Sequence, residues 1–369
     1  MASLAGLRNV AQRSLRTRLS PIGLEFAEDR LNAAQFAHGE PPVLRAQASV
    51  PYPVARAELL RSPAALKGFL KQIFKTHGFS GRKVVTTLPS EDVRVLSVTY
   101  QVRQGQSDDL AIAKLMEERV GEDLSQFVID YMPIRGESHD GDRLAMVLLC
   151  ERGAVVTYLE QLRKAGLDVE ALEVNLVSIR RWISTVISAD ETLQNVLVVN
   201  TGATKTQLTM VSGQRLLFEQ QVDFGEDPLL AQVSMALDTP QDVTREIVFR
   251  RGVHPTAEAT AAPGDIDDTL SSNMILTIVR PQFSNLVAEI RRAVLFASSE
   301  TRGGDVGRVY LMGSVAQWPG AADLLESLAA MPVSIAGPVS SNSAPGTKSE
   351  PMPELVIPSG LALRGFADA

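Results

Sequence analysis

The stretch NVLVVNTGATKTQLTMVSG, residues 195–213, decides the fold. Its apolar run over residues 196–199 predicts a buried β-strand, and the alternation around Leu208 and Met210 predicts a second strand. Between them lies Gly202, which supplies the backbone freedom that a tight turn requires. Backbone N–H groups at such a turn can bind a phosphate, but a single glycine turn is also common in ordinary antiparallel sheets. The hairpin alone leaves both interpretations open.

The composition of the 369-residue chain is that of an ordinary globular protein, with 45% hydrophobic and 21% charged residues. The length predicts roughly two domains if a domain takes about 150 residues. There are 36 Lys and Arg residues against 43 Asp and Glu residues, a net charge of −7, which argues against nucleic-acid binding. The apolar runs are much shorter than the ~20 residues of a membrane-spanning helix. We therefore expect a soluble protein.

Residues 1–20 form a basic leader that contains arginines and no acidic residue. Its apolar residues recur at near-helical intervals, so it could form an amphipathic helix that binds a membrane surface or a partner. An organellar transit peptide and a disordered tail are the alternatives. The leader lacks the continuous apolar segment of a secretory signal peptide.

Cys150 and the loop around His139 are two further candidates for chemistry. Cys150 is the only cysteine, and its apolar neighbours favour a small buried hydrophobe over a reactive thiol. His139 stands near Asp140 and Asp142 in a polar loop, a pattern more typical of a solvated turn than of a metal site. We predict no metal site and no disulfide.

A second strand–turn–strand unit begins near Pro21 and repeats the pattern found near Asn195. Its tip lacks glycine and carries Glu28 and Asp29, whose charges would repel a phosphate. Helices follow both hairpin clusters, and a strand, Gly313 and a helix close the second cluster. This internal repetition predicts two related α/β lobes that face each other across a cleft.

Several motifs occur in a defined order along the chain. They are IGLEFAEDRLNAAQF, VVTTLPSEDVRVLSV, VVNTGATKTQLTMV, DVTREIVFRRG, VYLMGSVAQWPG and SGLALRGF. In order and spacing they resemble the PilM family of type IV pilus assembly proteins, within the actin-like superfamily that includes the cell-division protein FtsA. The resemblance extends from Ile22 to Gly365. It implies an α/β, actin-like (ribonuclease H-like) fold of two lobes, with a small α+β subdomain inserted in the first lobe.

The resemblance and the strand pattern together predict the domain boundaries. These are a leader at 1–20, a first lobe at 21–190 with an insertion at about 91–140, a second lobe at 191–339, a Ser/Pro linker at 340–353, and a C-terminal helix at 354–369 that returns to the first lobe.

The resemblance also implies a nucleotide site, from which this chain departs. Where the family has aspartates in its two phosphate hairpins, this chain has Glu25 and Asn200. A Mg·ATP site needs carboxylates for the metal and uncrowded backbone N–H groups for the phosphates. We therefore predict weak or absent binding of ATP and Mg²⁺, no required cofactor and no catalytic residue. The vestigial nucleotide-site residues are Glu25, Asn200, Gly202, Ala203, Thr204, Gly313 and Ser314.

Two functions are compatible with these features. The resemblance implies a cytoplasmic scaffold, peripheral to the inner membrane, which binds the cytoplasmic N-terminal segment of a PilN-like membrane protein and other pilus or secretion assembly proteins. The groove between the first lobe and the insertion would hold that segment, although the insertion could also be a rigid structural spur. The alternative is an active ATPase or sugar kinase that uses Glu25 and Thr204. The predicted contact region includes Leu88, Val93, Val95, Val98 and Val102.

Four local predictions concern helix ends and exposure. We expect Ser107 to cap one helix and Gly166 to follow the end of another. We expect Pro281 in the first turn of a helix over residues 278–298. The adjacent pair Arg180-Arg181 is expected to face water.

Overall fold

The computed structural model describes residues 18–121, 123–135, 141–189, 194–213, 215–255, 266–301, 303–338 and 352–367. Most of the basic leader and of the Ser/Pro linker lies outside the described residues, as do His139 and Asp140. The predictions for those segments therefore stay predictions. Leu19, within the predicted leader, already forms an antiparallel bridge with Ala37.

The first sheet has five strands in the order β3-β2-β1-β4-β8. β1, β2 and β3 pair antiparallel, whereas β4 pairs parallel with both β1 and β8. Its strands are β1 (Ile22–Phe26), β2 (Arg30–Ala37), β3 (Val43–Pro51), β4 (Lys83–Thr87) and β8 (Asp168–Glu173).

The second sheet repeats this arrangement in the order β11-β10-β9-β12-β13. β9, β10 and β11 pair antiparallel, and β12 pairs parallel with β9 and β13. The matching order and direction confirm the predicted α/β fold with two related halves. Its strands are β9 (Asn195–Thr201), β10 (Thr206–Ser212), β11 (Arg215–Val222), β12 (Arg308–Gly313) and β13 (Val333–Ile335).

A third sheet lies between β4 and β8 in the chain and is wholly antiparallel. Its order is β5-β7-β6, so the strand that comes last in sequence is the central one. That strand begins at Asp142, beyond the boundary near residue 140 that the sequence suggested for the insertion. The strands are β5 (Val93–Gln101), β6 (Phe127–Arg135) and β7 (Asp142–Glu151).

The helices fill four separate places around these sheets. α1 (Arg56–Arg61), α2 (Pro63–His77) and α4 (Arg152–Lys164) pack on the first sheet, and α3 (Asp108–Val120) packs on the third. α5 (Asn175–Ala189) and α10 (Val356–Ala362) lie in the apolar core between the first two sheets, and the short α11 (Arg364–Ala367) follows. The outer face of the second sheet carries α6 (Glu226–Leu237), α7 (Gln241–Arg251), α8 (Ile266–Glu300) and α9 (Ala321–Ala329).

The C-terminal helix α10 approaches its neighbours so closely that two glycines are required. A Cβ atom added to Gly23 of β1 would lie 1.8 Å from the carbonyl oxygen of Pro358. A Cβ atom added to Gly360 would lie 2.1 Å from the carbonyl oxygen of Ser178. α10 therefore packs backbone to backbone against both β1 and α5, and this contact holds the end of the chain against the first sheet.

Of the four local predictions, those for Ser107 and Gly166 are confirmed, that for Pro281 is wrong, and that for the pair Arg180-Arg181 holds for Arg180 alone. The hydroxyl of Ser107 accepts a hydrogen bond from the N–H of Leu110, and Gly166 follows α4 with φ +94°. Pro281 lies well inside α8, which begins at Ile266. The missing N–H of proline costs one helical hydrogen bond, but buried residues on both sides of it, including Phe283, keep the helix packed on the second sheet. Arg180 is exposed, whereas Arg181 is largely buried and binds the buried carboxylate of Glu173.

Candidate functional site at the cleft between the sheets

A cleft of about 330 Å³ opens between the tips of the two strand hairpins, the start of α6 and the end of β12. Of the seven residues that the sequence assigned to a vestigial nucleotide site, the structure brings six together in its walls. Thr204 is not among the residues that line the cleft. The six are Glu25, Asn200, Gly202, Ala203, Gly313 and Ser314.

The second hairpin is held at its tip by backbone hydrogen bonds. The N–H of Gly202 donates to the carbonyl oxygen of Lys205 at 2.8 Å, which closes the turn between β9 and β10. The carbonyl oxygens of Gly202 and Ala203 accept from the N–H groups of Glu226 and Asp227, at 3.2 and 2.8 Å. These two N–H groups belong to the first turn of α6, where they have no partner inside the helix. The tip is therefore fixed to the start of α6.

β12 ends at Gly313, which is required for the junction with β9. Gly313 has φ +85°, and a Cβ atom there would lie 2.1 Å from the carbonyl oxygen of Thr201. The hydroxyl of Thr201 donates to the carbonyl oxygen of Met312 and accepts from the N–H of Val315. Ser314 donates its hydroxyl to the carbonyl oxygens of Thr201 and Gly202, at 3.1 and 3.0 Å. The hydroxyl of Ser314 thus joins the end of β12 to the end of β9.

Glu28, at the tip of the first hairpin, reaches across the cleft to the second hairpin. Its Oε2 accepts a hydrogen bond of 2.8 Å from the backbone N–H of Ala203. The sequence suggested only that this carboxylate would repel a phosphate. In the structure, this carboxylate instead accepts a hydrogen bond from the N–H of Ala203. That N–H belongs to the turn that the family resemblance assigns to phosphate binding.

Glu25 is buried on β1 in a polar chain. The side-chain amide of Asn32 donates to Glu25 Oε2 at 3.0 Å, and the hydroxyl of Ser49 donates to Asn32 Oδ1 at 2.9 Å. Burial raises the pKa of Glu25 to about 7; the hydrogen bond from Asn32 opposes the rise and the charge of Asp29 adds to it. A metal ligand at neutral pH needs an ionised carboxylate. Glu25 is thus a poorer ligand for Mg²⁺ than an exposed aspartate would be.

Asn200 stands on the opposite wall, at the end of β9. Its side-chain amide donates to Gln207 Oε1 at 3.3 Å across the hairpin. An amide carries no net charge and therefore offers less to a cation than a carboxylate does. Among the described residues, no group of three or more His, Cys, Asp or Glu side chains is arranged to hold a metal ion.

Glu226 and Arg245 line the same cleft, and the sequence analysis did not identify them. The carboxylate of Glu226 is buried, accepts a hydrogen bond of 2.8 Å from the indole N–H of Trp318, and pairs with Arg245 at 2.7 Å. Trp318 follows β12 by a few residues, whereas Arg245 belongs to α7. Arg245 lies 19 residues and Trp318 92 residues from Glu226 in the chain, and no local sequence pattern indicates that the three meet.

The basic side chains that line the described part of the cleft all have acidic partners. Arginine and lysine bind phosphates by supplying positive charge, and a carboxylate neighbour neutralises that charge. The cleft therefore presents little free positive charge to a triphosphate. The pairs are Arg30–Asp29, Arg56–Glu91, Lys205–Asp223 and Arg245–Glu226.

The five residues predicted to contact a partner do not share one surface. Leu88 is buried and lines the cleft instead of the third sheet. Val98 is fully buried in the core under α3, and Val102 packs against the same core. Val93 and Val95 lie on the other face of β5 and pack against the cores of the first sheet and of the region between the sheets.

Residues 43–366 match the model of a family described as "Type IV pilus assembly protein PilM". A structure of a "PilM-PilN type IV pilus biogenesis complex" is similar over 94% of this chain and 98% of its own, with 23% identity and a TM-score of 0.70.

Two more distant structures are similar in fold. The ethanolamine utilization protein EutJ from Carboxydothermus hydrogenoformans has 12% identity and a TM-score of 0.51, with 95% of this chain and 90% of that chain covered. ADP-bound MreB5 of Spiroplasma citri has 11% identity and a TM-score of 0.50, with 95% and 97% covered. Both support an actin-like fold for this chain. None of the described helices has the length and apolar character to cross a bilayer.

Proposed function

This chain belongs to the PilM family of type IV pilus assembly proteins, and we propose that it is a cytoplasmic scaffold in the inner-membrane platform of a pilus or a related secretion machine. The single observation that carries this proposal is the family match over residues 43–366. The similar fold of a structure titled as a complex of PilM with PilN supports it.

The proposed partner is a PilN-like membrane protein that presents a short cytoplasmic N-terminal segment. An extended segment can bind a sheet edge or a groove through its backbone, with specificity from alternate side chains. The third sheet supports this assignment because β5 is one of its edge strands. Ser97 and Thr99 on this strand are exposed, and they share a face with Val93 and Val95. We propose that the segment binds beside this face, which would place the scaffold at the membrane.

The cleft is proposed to bind Mg·ATP weakly or not at all and to hydrolyse none. The protonation of Glu25 near neutral pH, the uncharged Asn200 and the carboxylate of Glu28 at Ala203 all support this proposal. The same contacts speak against an active ATPase or sugar kinase, and the comparisons do not favour that alternative.

The partner proposal is tested with the full chain and a synthetic peptide of the cytoplasmic N-terminal segment of a PilN-like protein from the same organism. Fluorescence anisotropy should show saturable binding, and a scrambled peptide of the same composition should not bind. Absence of binding to the folded full chain would contradict the proposed partner.

The nucleotide proposal is tested separately by calorimetry with Mg·ATP at millimolar concentration. Little or no heat is expected. A tight signal that depends on Mg²⁺ would contradict weak nucleotide binding, while the family assignment and the peptide result would stand unaffected.

A further inference from the structure

The hydrogen bond between Glu28 and Ala203 joins two hairpins that belong to different sheets and lie 175 residues apart in sequence. Its length of 2.8 Å is typical of a charge-assisted bond between a carboxylate and an N–H group. Gly202 is required by the turn itself, because a Cβ atom there would lie 2.8 Å from the carbonyl oxygen of Lys205; the two Glu28 oxygens lie 3.8 and 3.9 Å from the same position, within ordinary contact distance. The contact therefore places a negative charge at the glycine turn.

The tip that carries Glu28 is held in place from β3 and its continuation. The phenol of Tyr52 donates to the carbonyl oxygen of Ala27 at 3.0 Å, and the N–H of Tyr52 donates to the carbonyl oxygen of Asp29 at 3.1 Å. Asp29, which also lines the cleft, pairs with Arg30 at 3.0 Å, so its charge is partly neutralised. Tyr52 fixes the residues on both sides of Glu28. The backbone from which the exposed Glu28 side chain extends is thereby held next to the second hairpin.

Backbone N–H groups at a glycine turn bind anions, and a carboxylate and a phosphate compete for the same donor. A carboxylate on the same chain has a high effective concentration, because it is tethered near the donor. A free phosphate-bearing ligand must displace it, and the displaced charge would then stand close to that ligand.

We propose that Glu28 is a built-in anionic ligand of the Gly202–Ala203 turn, which latches the two halves of the protein together across the cleft without a nucleotide. The latch would hold the two hairpins together without a bound nucleotide. This inference rests on the proposed function, in which the cleft is a vestigial nucleotide site. Removal of the carboxylate should loosen the hairpin contact and open the turn to phosphate.

The experiment compares the full-length wild type with Glu28→Ala, Glu28→Gln and the control Glu117→Ala. Glu117 is exposed on α3, which packs on the third sheet, and it belongs to neither hairpin. Hydrogen–deuterium exchange is followed in a peptic peptide that spans residues 200–206. Glu28→Ala should raise exchange of the Ala203 amide by roughly tenfold, the loss of one charge-assisted hydrogen bond, and Glu28→Gln by less. Glu117→Ala should leave it at the wild-type rate.

The same variants are then titrated with Mg·ATP by calorimetry. Glu28→Ala should bind more tightly than wild type and Glu117→Ala should not. Unchanged amide exchange in Glu28→Ala would overturn the latch, and raised exchange without any gain in Mg·ATP binding would overturn the competition with phosphate. Tight Mg·ATP binding by the wild type would instead contradict the proposed function, so the two failures are distinguishable.

Discussion

Arg181 and Glu173 form a bidentate ion pair, with guanidinium nitrogens 3.0 and 2.9 Å from the two carboxylate oxygens. Only 4% of the Glu173 side chain is exposed. Arg181 also donates to the carbonyl oxygen of Gly360 at 2.7 Å, and Arg364 binds the same carboxylate. The pair therefore links β8, α5 and α10, the elements that bring the end of the chain back to the first sheet.

Arg181→Met should destabilise the protein by about 3 kcal/mol, because it removes one partner of a buried carboxylate and of a buried carbonyl oxygen. Urea unfolding of the full chain measures the change. The control is Lys164→Met, whose partner Glu160 lies 3.1 Å away in an exposed pair on α4. The control should change the free energy of unfolding by no more than about 0.5 kcal/mol. An equal loss of unfolding free energy in the two variants would show that the buried network stabilises the protein no more than an exposed ion pair does.

Gly313→Ala should also destabilise the protein, by more than the usual loss for a glycine with positive φ. The added Cβ atom would lie 2.1 Å from the carbonyl oxygen of Thr201, so β12 would have to move away from β9. Gly213 is a matched control, because it also has positive φ, +57°, but meets no atom within 4 Å. We expect Gly213→Ala to lower the free energy of unfolding by about 1 kcal/mol, and Gly313→Ala to lower it by at least twice as much. Similar urea midpoints for both variants would contradict the steric argument.

Glu25 makes the stability of the protein depend on pH. Its pKa of about 7 lies above the ordinary value of 4.5, so the folded state binds the proton more tightly than the unfolded state does. The stability contributed by protonated Glu25 is complete below the unfolded pKa and is lost as the pH rises through the folded pKa. The loss therefore accumulates between roughly pH 4.5 and pH 7 and amounts to about 3 kcal/mol.

Glu25→Gln removes this titration and keeps an oxygen that can accept the hydrogen bond from Asn32. The variant should be more stable than wild type at pH 8, and most of that gain should disappear by pH 5. Urea unfolding at the two pH values measures this gain in unfolding free energy. The control is Glu117→Gln, on the exposed face of α3. Burial also raises the pKa of Glu219 to about 7, but Glu219 is present in all three proteins and cancels in the comparison. A gain that is the same at both pH values would contradict the raised pKa of Glu25.

The fold could be predicted from sequence because its decisive elements are local. Apolar runs and alternation mark β9 and β10, and the turn chemistry around Gly202 marks the hairpin between them. The same reasoning failed for Arg181, because the helical pattern of α5 does not reveal that α10, some 180 residues later, brings a carbonyl oxygen to its polar face. Contacts between distant segments are set by the tertiary fold.

The candidate site was predicted in its location but not in its contacts. The positions of Glu25, Asn200 and Gly313 follow from the motif order, and all three line the cleft. The bond from Ala203 to Glu28 could not be foreseen, since local sequence shows only an acid at a turn. Leu88 follows β4 directly and stands near the insertion in sequence, yet it is buried in the core of the first sheet and lines the cleft.

If the partner binds beside β5, substitutions on the two faces of this strand should differ: one should lower stability, and the other should weaken partner binding without unfolding the protein. Val98 is fully buried under α3, so Val98→Ala should cost about 2 kcal/mol of stability, whatever its effect on binding. Ser97 is exposed on the opposite face of the same strand, and Ser97→Arg should leave the free energy of unfolding nearly unchanged. If the segment of the PilN-like partner binds beside that face, the bulky charge should weaken its binding by about tenfold or more.

Anisotropy with the N-terminal peptide of the PilN-like protein measures the binding, and urea unfolding measures stability on the same samples. Glu117→Arg provides the matched control, because it places the same side chain on the outer face of α3. The control should bind the peptide like wild type. Wild-type affinity in Ser97→Arg, in a protein of unchanged stability, would move the partner site away from this face of β5. In that case the third sheet would serve as a rigid structural support, since its buried core and its contacts with the first sheet do not depend on a bound segment.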